Sequence, residues 1–136
     1  MLTPEEAAVM NQHPVIGALI VGSIPGMEEV VPGVRYHHER YDGQGYPEGL
    51  AGEEIPLLAR ILAVADVYSA MTTHRPYRKA LSRRAALRQI QAGLGTHFDP
   101  EIGAKFVEIL KEQLPRLPDA AAGRDAVLQS GFPGSL

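Results

Sequence analysis

The chain has 136 residues, the length of one domain, and 45% of them are hydrophobic, enough for one modest core. A net charge of −3 leaves no electrostatic footprint for nucleic acid, and the lack of cysteine excludes disulfides and thiolate metal sites, so any metal here must be held by histidine and carboxylate. No apolar run approaches the roughly 20 residues of a membrane span, and the N-terminus has neither a basic region nor a signal-type apolar core, so the chain reads as soluble and cytoplasmic.

Thr3-Pro4-Glu5-Glu6 predicts a helix start, with Thr3 as N-cap, Pro4 at the first helical position and Glu6 completing a capping box. Pro14 is expected to kink this helix or to begin a second segment, because it removes a donor and crowds the preceding turn. Val15, Ile16, Leu19 and Ile20 continue the apolar face until Gly22, Ser23 and Pro25-Gly26 interrupt it. A second helix is expected from Met27 to about His38, with Pro32-Gly33 in its middle. Asp42 to Pro56 is a glycine-rich loop. Ile55 to about Thr72 predicts a strong helix in which Leu58, Ile61, Leu62, Ala65, Tyr68 and Thr72 keep helical spacing. Ser82 caps a helix from Arg83 to about Gln91. Asp99 caps the last, whose inward residues are Ile102, Phe106, Ile109 and Leu110. Beyond about Leu114, prolines, alanines and a Gly-Phe-Pro-Gly-Ser end predict a loose tail over residues 113–136, with one short helix near Asp125–Gln129. The class is all-α, with residues 1–112 as the folded part.

A few residues stand out against this background. Asp66 sits within a nearly continuous apolar run in mid-helix, and burying an ionised carboxylate costs several kcal/mol unless it is paired or binds a metal. It could equally lie on the one wet face of its helix or pair with an arginine. His37-His38 is either a surface pair or a ligand pair. Neighbouring helical side chains point about 100° apart, so the two histidines would not easily share one ion but suit a dinuclear site. His38 and Asp42 would be one turn apart if the helix lasted that long. His13, His37, His38 and Asp66 together are nitrogen and oxygen donors on three helices, the way bundles build metal centres, and such donors suit Fe, Mn, Zn or Ni without choosing among them. The loop glycines permit positive φ and close approach of backbone to a ligand, or simply a tight surface turn. Tyr46 could stack on a base or pack on the domain. Arg75-Pro76-Tyr77-Arg78-Lys79 suits a helix C-terminus, and arginine also matches phosphate. His74 and His97 give no comparable pattern and read as surface or capping residues.

The string His37-His38-Glu39-Arg40-Tyr41-Asp42-Gly43-Gln44-Gly45-Tyr46-Pro47 resembles the extended HD-GYP signature, His-His-Glu-x-x-Asp-Gly-x-Gly-Tyr-Pro, at every fixed position. Glu48-Gly49-Leu50, Ile55-Pro56, Ala59-Arg60-Ile61, Ala65-Asp66-Val67-Tyr68, Arg75-Pro76-Tyr77-Arg78 and Phe98-Asp99-Pro100 continue the likeness, as do the opening Leu2 to Glu6 and His13-Pro14. The resemblance implies a helical bundle of the HD superfamily and a two- or three-metal centre, Fe or Mn before Zn or Ni, that hydrolyses cyclic di-GMP. By position it implies His13, His37, His38 and Asp66 as metal ligands and Arg75 and Arg78 near substrate phosphates. Gly45, Tyr46 and Pro47 would shape the guanine side of the pocket or a protein-partner surface. Two positions depart from the family. Its His-Asp pair, with the following lysine, lies upstream of the segment resembled, and Ser69 stands where the family often has Asp. The expectation is therefore a C-terminal part of such a domain, or else a degenerate non-catalytic module that binds a nucleotide or a partner. A missing N-terminal half also predicts exposed apolar faces on the first helices, which a homodimer would cover.

Overall fold

Local capping chemistry sets most of the helix boundaries. The computed structural model describes residues 3–113, and its first helix, α1, runs Pro4–Gly22. The Thr3 hydroxyl accepts from the Glu6 amide at 3.1 Å while the Glu6 carboxylate accepts from the Thr3 amide at 2.8 Å, the reciprocal box expected from the sequence. Pro14 does not divide this helix. Pro14 is itself buried, and the packing of a long helix outweighs one missing donor.

A 3₁₀ turn over Glu28–Val30 leads into α2, which is only Val31–Tyr36. The expected helix from Met27 to His38 is thus shorter at both ends. Pro32 falls in its first turn, where no intrahelical donor is needed, so it helps to start α2 rather than interrupt it. His37 is the C-cap residue, and His38 lies beyond it. Helix α3 is Leu57–Thr72, α4 is Arg83–Ala92 and α5 is Pro100–Gln113. The Ser82 hydroxyl accepts from the Ala85 amide at 3.2 Å. Asp99 Oδ1 accepts from the amides of Glu101 and Ile102 at 2.9 and 3.1 Å. Both caps are those the sequence predicts. Among the described residues there is no strand, only isolated bridges, and the all-α class holds. The expected short helix near Asp125–Gln129 and nearly all of the expected tail lie outside the described residues.

Helix α1 packs on α2, α2 on α3, and α3 on both α4 and α5. The core lies at the last of these junctions, between α3, α4 and α5, where Val64, Met71, Ala86, Leu87, Ile90, Phe98 and Val107 are buried together. Helix α3 has neighbours on two sides, so its buried residues are Ala59, Ala63, Val64, Met71 and Thr72, while Ile61, expected inside, is 42% exposed. Ile109 of α5 is likewise 45% exposed, and Val107 takes the inward place. Helix α1 is apolar nearly all round, a pattern that goes with burial on every side. Here one side packs and the other leaves Val9, Ile16, Leu19 and Ile20 half or more exposed, as the expectation of bare first helices has it.

The Arg60–Asp99 pair ties the start of α3 to the cap of α5, with Nη1 to Oδ2 at 2.9 Å and both side chains largely buried. Arg60 Nε also donates to the Ile55 carbonyl. Burial pushes the Asp99 carboxyl up, but Arg60 and the amides of Ile102 and Glu101 outweigh it and hold the group below its usual range. A folded-state value below the unfolded one contributes stability above the unfolded value, near 4, and that contribution is lost as pH falls through the folded value. The melting temperature is therefore expected to drop below about pH 4, and Asp99→Asn to be less stable at neutral pH with a shallower acid limb. Thermal melts from neutral to acid pH check this; an acid limb identical in the variant removes Asp99 as its source.

Candidate metal centre and its pocket

The close approach of α2 and α3 starts at a residue without a side chain. A Cβ on Gly33 would stand 2.7 Å from Leu58 Cγ and 3.0 Å from Leu62 Cδ1, so any other residue would push the helices apart. One helical turn beyond Gly33 is His37, and one turn beyond Leu62 is Asp66. The packing thereby brings donor atoms of His37, His38 and Asp66 within 4.8 Å of one another. That spacing is close to the roughly 4 Å that separates opposite ligands of a single ion. Adjacent histidines within a helix diverge, but α2 ends at Tyr36 and these two rings lie 4.1 Å apart, tilted by 41°.

Each donor is prepared differently. His37 Nδ1 is 2.6 Å from the Val34 carbonyl oxygen. A carbonyl only accepts, so this contact needs a proton on Nδ1, and the neutral tautomer that meets it carries its lone pair on Nε2. Burial, then the neighbouring His37, lowers the pKa of His38; Asp66 pulls it up, and His13 and His97 add to the lowering. The net result favours neutral imidazole, the form that ligates a metal. The His38 ring also stacks on Tyr46, centroids 5.0 Å apart. Asp66 is exposed and makes no ion pair with arginine among the described residues, so the wet-face and ligand readings converge on one carboxylate at an open edge. His13 is exposed on α1 and outside the three-residue group, yet its charge reaches His38.

The loop after His38 is organised by Glu39, which is 1% exposed. Its carboxylate accepts from three successive amides, Glu48 at 2.7 Å, Gly49 at 3.1 Å and Leu50 at 3.0 Å. Gly43 and Gly49 take positive φ. Gly45 serves close approach instead, since a Cβ there would meet the His38 carbonyl at 2.6 Å and Glu39 Cα at 2.7 Å. Asp42 does not sit one turn from His38. It accepts from Arg40 and from the Gln44 amide, and Arg40 before Gln44 holds its carboxyl below the ordinary range.

These elements enclose a pocket of about 350 Å³. His37, His38 and Asp66 open on it, with Gln44, Gly45 and Tyr46 from the loop, Val67, Ala70 and Met71 from α3, and Arg40, Arg78 and His97. Burial before Asp66 raises the Tyr46 phenol. The two arginines of the basic segment separate. Arg78 lines the pocket and donates from Nη2 to the Ala70 carbonyl at 2.8 Å, so it serves the C-terminal end of α3 and the pocket at once; Arg75 is not on the pocket wall. His74 is half-buried and caps no helix; its Nδ1 accepts from the Ala80 amide at 3.1 Å and so ties together the loop between α3 and α4. His97, read from the sequence as a surface or capping residue, is instead part of the wall. It is brought there because Tyr41 and Asp42 donate to the carbonyls of His97 and Thr96 at 3.1 and 2.8 Å. No local pattern announces that long-range docking. Arg40 stood at a variable position of the signature, and its one sequence sign was Asp42 two residues on.

Comparison with known proteins follows the same lines. The family described as HD domain matches residues 1–102. The cyclic di-GMP phosphodiesterase response regulator RpfG of Xanthomonas campestris pv. campestris is 50% identical over 101 residues, covering 73% of this chain and 27% of that protein. A cyclic di-GMP phosphodiesterase of Thermotoga maritima is 40% identical over 114 residues, covering 82% and 31%. The crystal structure of a cyclic GMP-AMP specific phosphodiesterase of Vibrio cholerae superposes with a TM-score of 0.64 at 29% identity, over 90% of this chain and 27% of that one. The chain thus spans less than a third of the length of these relatives.

Proposed function

The chain belongs to the HD domain family, and we propose that its activity is that of a metal-dependent phosphodiesterase of the HD-GYP type acting on cyclic di-GMP. The observation that carries this reading is the His37, His38 and Asp66 donor group opening on a pocket whose wall also holds Arg78. Two imidazoles and a carboxylate fit a divalent first-row ion, Fe or Mn before Zn or Ni, and three donors leave positions for water and a phosphoryl oxygen. When bound, the metal supplies Lewis acidity toward that oxygen and a lowered water pKa. His37 would present Nε2 in a fixed orientation, because Val34 holds its other nitrogen. Arg78, anchored on Ala70, retains donors for a phosphate oxygen. In the hydrolysis, a water oxygen joins phosphorus, one phosphate ester bond breaks, and the departing ribose oxygen takes a proton. Relatives at 50% and 40% identity that carry the name cyclic di-GMP phosphodiesterase support this substrate.

A second reading, a non-catalytic module that binds the nucleotide or a protein through the Gly45-Tyr46-Pro47 loop, is favoured by Ser69. It lies exposed on α3 three residues after Asp66, at the position where the family resembled often has Asp. Metal analysis of anaerobically purified protein, followed by a cyclic di-GMP hydrolysis assay, separates the two. Stoichiometric Fe or Mn with release of linear dinucleotide or GMP is the expected result. Nucleotide binding without turnover selects the module, and a chain that takes up neither metal nor nucleotide overturns both.

A further inference from the structure

Resting on the reading of the pocket as a cyclic dinucleotide site, we infer that Arg40 is its base-reading residue: held by Asp42, its guanidinium takes the O6 and N7 acceptors of a guanine, so the pocket prefers guanine to adenine. Arg40 lines the pocket together with Gln44, Tyr46 and His97. Its Nε donates to Asp42 Oδ1 at 3.1 Å and its Nη2 to Oδ2 at 2.9 Å, and Asp42 is itself fixed by the Gln44 amide at 3.0 Å. The Arg40 carbonyl accepts from the Gly43 amide at 2.9 Å, so both ends of the residue are held.

Guanidinium carries five N–H donors in one plane. Asp42 occupies one edge, and the edge formed by Nη1 with the second Nη2 hydrogen makes no hydrogen bond among the described residues. That edge is a ready fork for two acceptors. Guanine presents O6 and N7 side by side, whereas adenine puts an amino donor where O6 would be, so the same fork meets a donor facing a donor. Charge points the same way. Arg40 is already paired with a carboxylate, which weakens its pull on a phosphate and leaves geometry as its main contribution. Arg78, which has no carboxylate partner among the described residues and bonds only a carbonyl, is the better phosphate group. The pocket volume of about 350 Å³ is at the low end for ligand sites, matching one nucleotide half with its base rather than a whole dinucleotide.

The test is competitive binding of cyclic di-GMP and cyclic di-AMP to the full chain as purified, with Arg40→Lys and Arg40→Ala beside it. The unsubstituted protein is expected to prefer cyclic di-GMP by about tenfold or more. In Arg40→Lys, which keeps the charge and loses the fork, the ratio of the two affinities should fall toward one, and Arg40→Ala should do the same. A ratio unchanged in Arg40→Lys, or affinities for both nucleotides lowered by the same factor, overturns base reading while leaving the nucleotide site standing. Binding of neither nucleotide by the unsubstituted chain would instead remove the reading of the pocket, and this inference with it.

Discussion

Glu39→Ala is expected to remove about 3 to 5 kcal/mol of stability, read as a lower midpoint in denaturant. The carboxylate is 1% exposed and satisfies three consecutive amides of the chain from Glu48 to Leu50. Alanine leaves those donors in a site that water does not readily reach, and each buried donor without a partner costs on the order of 1–3 kcal/mol. Glu39→Gln should fall between, since it keeps the shape and one acceptor oxygen but turns an amino donor toward an amide that is also a donor. The effect should spread to the candidate centre. His38 precedes Glu39 directly, and the His38 carbonyl accepts from the Tyr46 amide at 3.3 Å, so loosening the loop also loosens the stack of Tyr46 on His38. Lower stability together with weaker metal binding is thus the signature of an organising residue. Weaker metal binding at unchanged stability would make Glu39 a ligand instead.

The parts of this architecture that follow from neighbouring residues are legible in the sequence itself. Thr3 with Glu6, Ser82 and Asp99 cap helices because the donor and acceptor are two to four positions apart, a distance fixed by backbone geometry. His37, His38 and Asp66 were readable as donors of unusual placement, but their convergence depended on Gly33 lying against Leu58 and Leu62, a contact between helices that periodicity does not encode. The length of α2 was misjudged because Pro32 was weighed as an interruption rather than as a first-turn residue. The inward face of α3 was misjudged because a helix with neighbours on two sides has no single apolar stripe. His97 and Arg40 reach the pocket through the docking of one loop on another, Tyr41 and Asp42 on Thr96 and His97, and only the folded chain places them.

Asp66 gives the sharpest separation of ligand from scaffold. Its carboxylate is exposed and no hydrogen bond to it is found among the described residues, so in the absence of metal Asp66→Ala should shift stability by no more than about 0.5 kcal/mol, with the better helix former at that position helping slightly. In the presence of metal, the same substitution removes the one anionic donor of the group. The affinity should then fall by more than the roughly 10–100-fold that loss of an outer-shell partner costs. His38→Ala is the useful contrast. It removes a donor and also a half-buried ring stacked on Tyr46, so both metal affinity and the stability of the metal-free protein should drop. Metal titrations paired with thermal melts in chelator read the two quantities separately. An Asp66→Ala protein that keeps its metal would return Asp66 to a solvated helix face. One that loses metal while melting like its parent would establish that this carboxylate is kept in an otherwise apolar run for the ion and not for the fold.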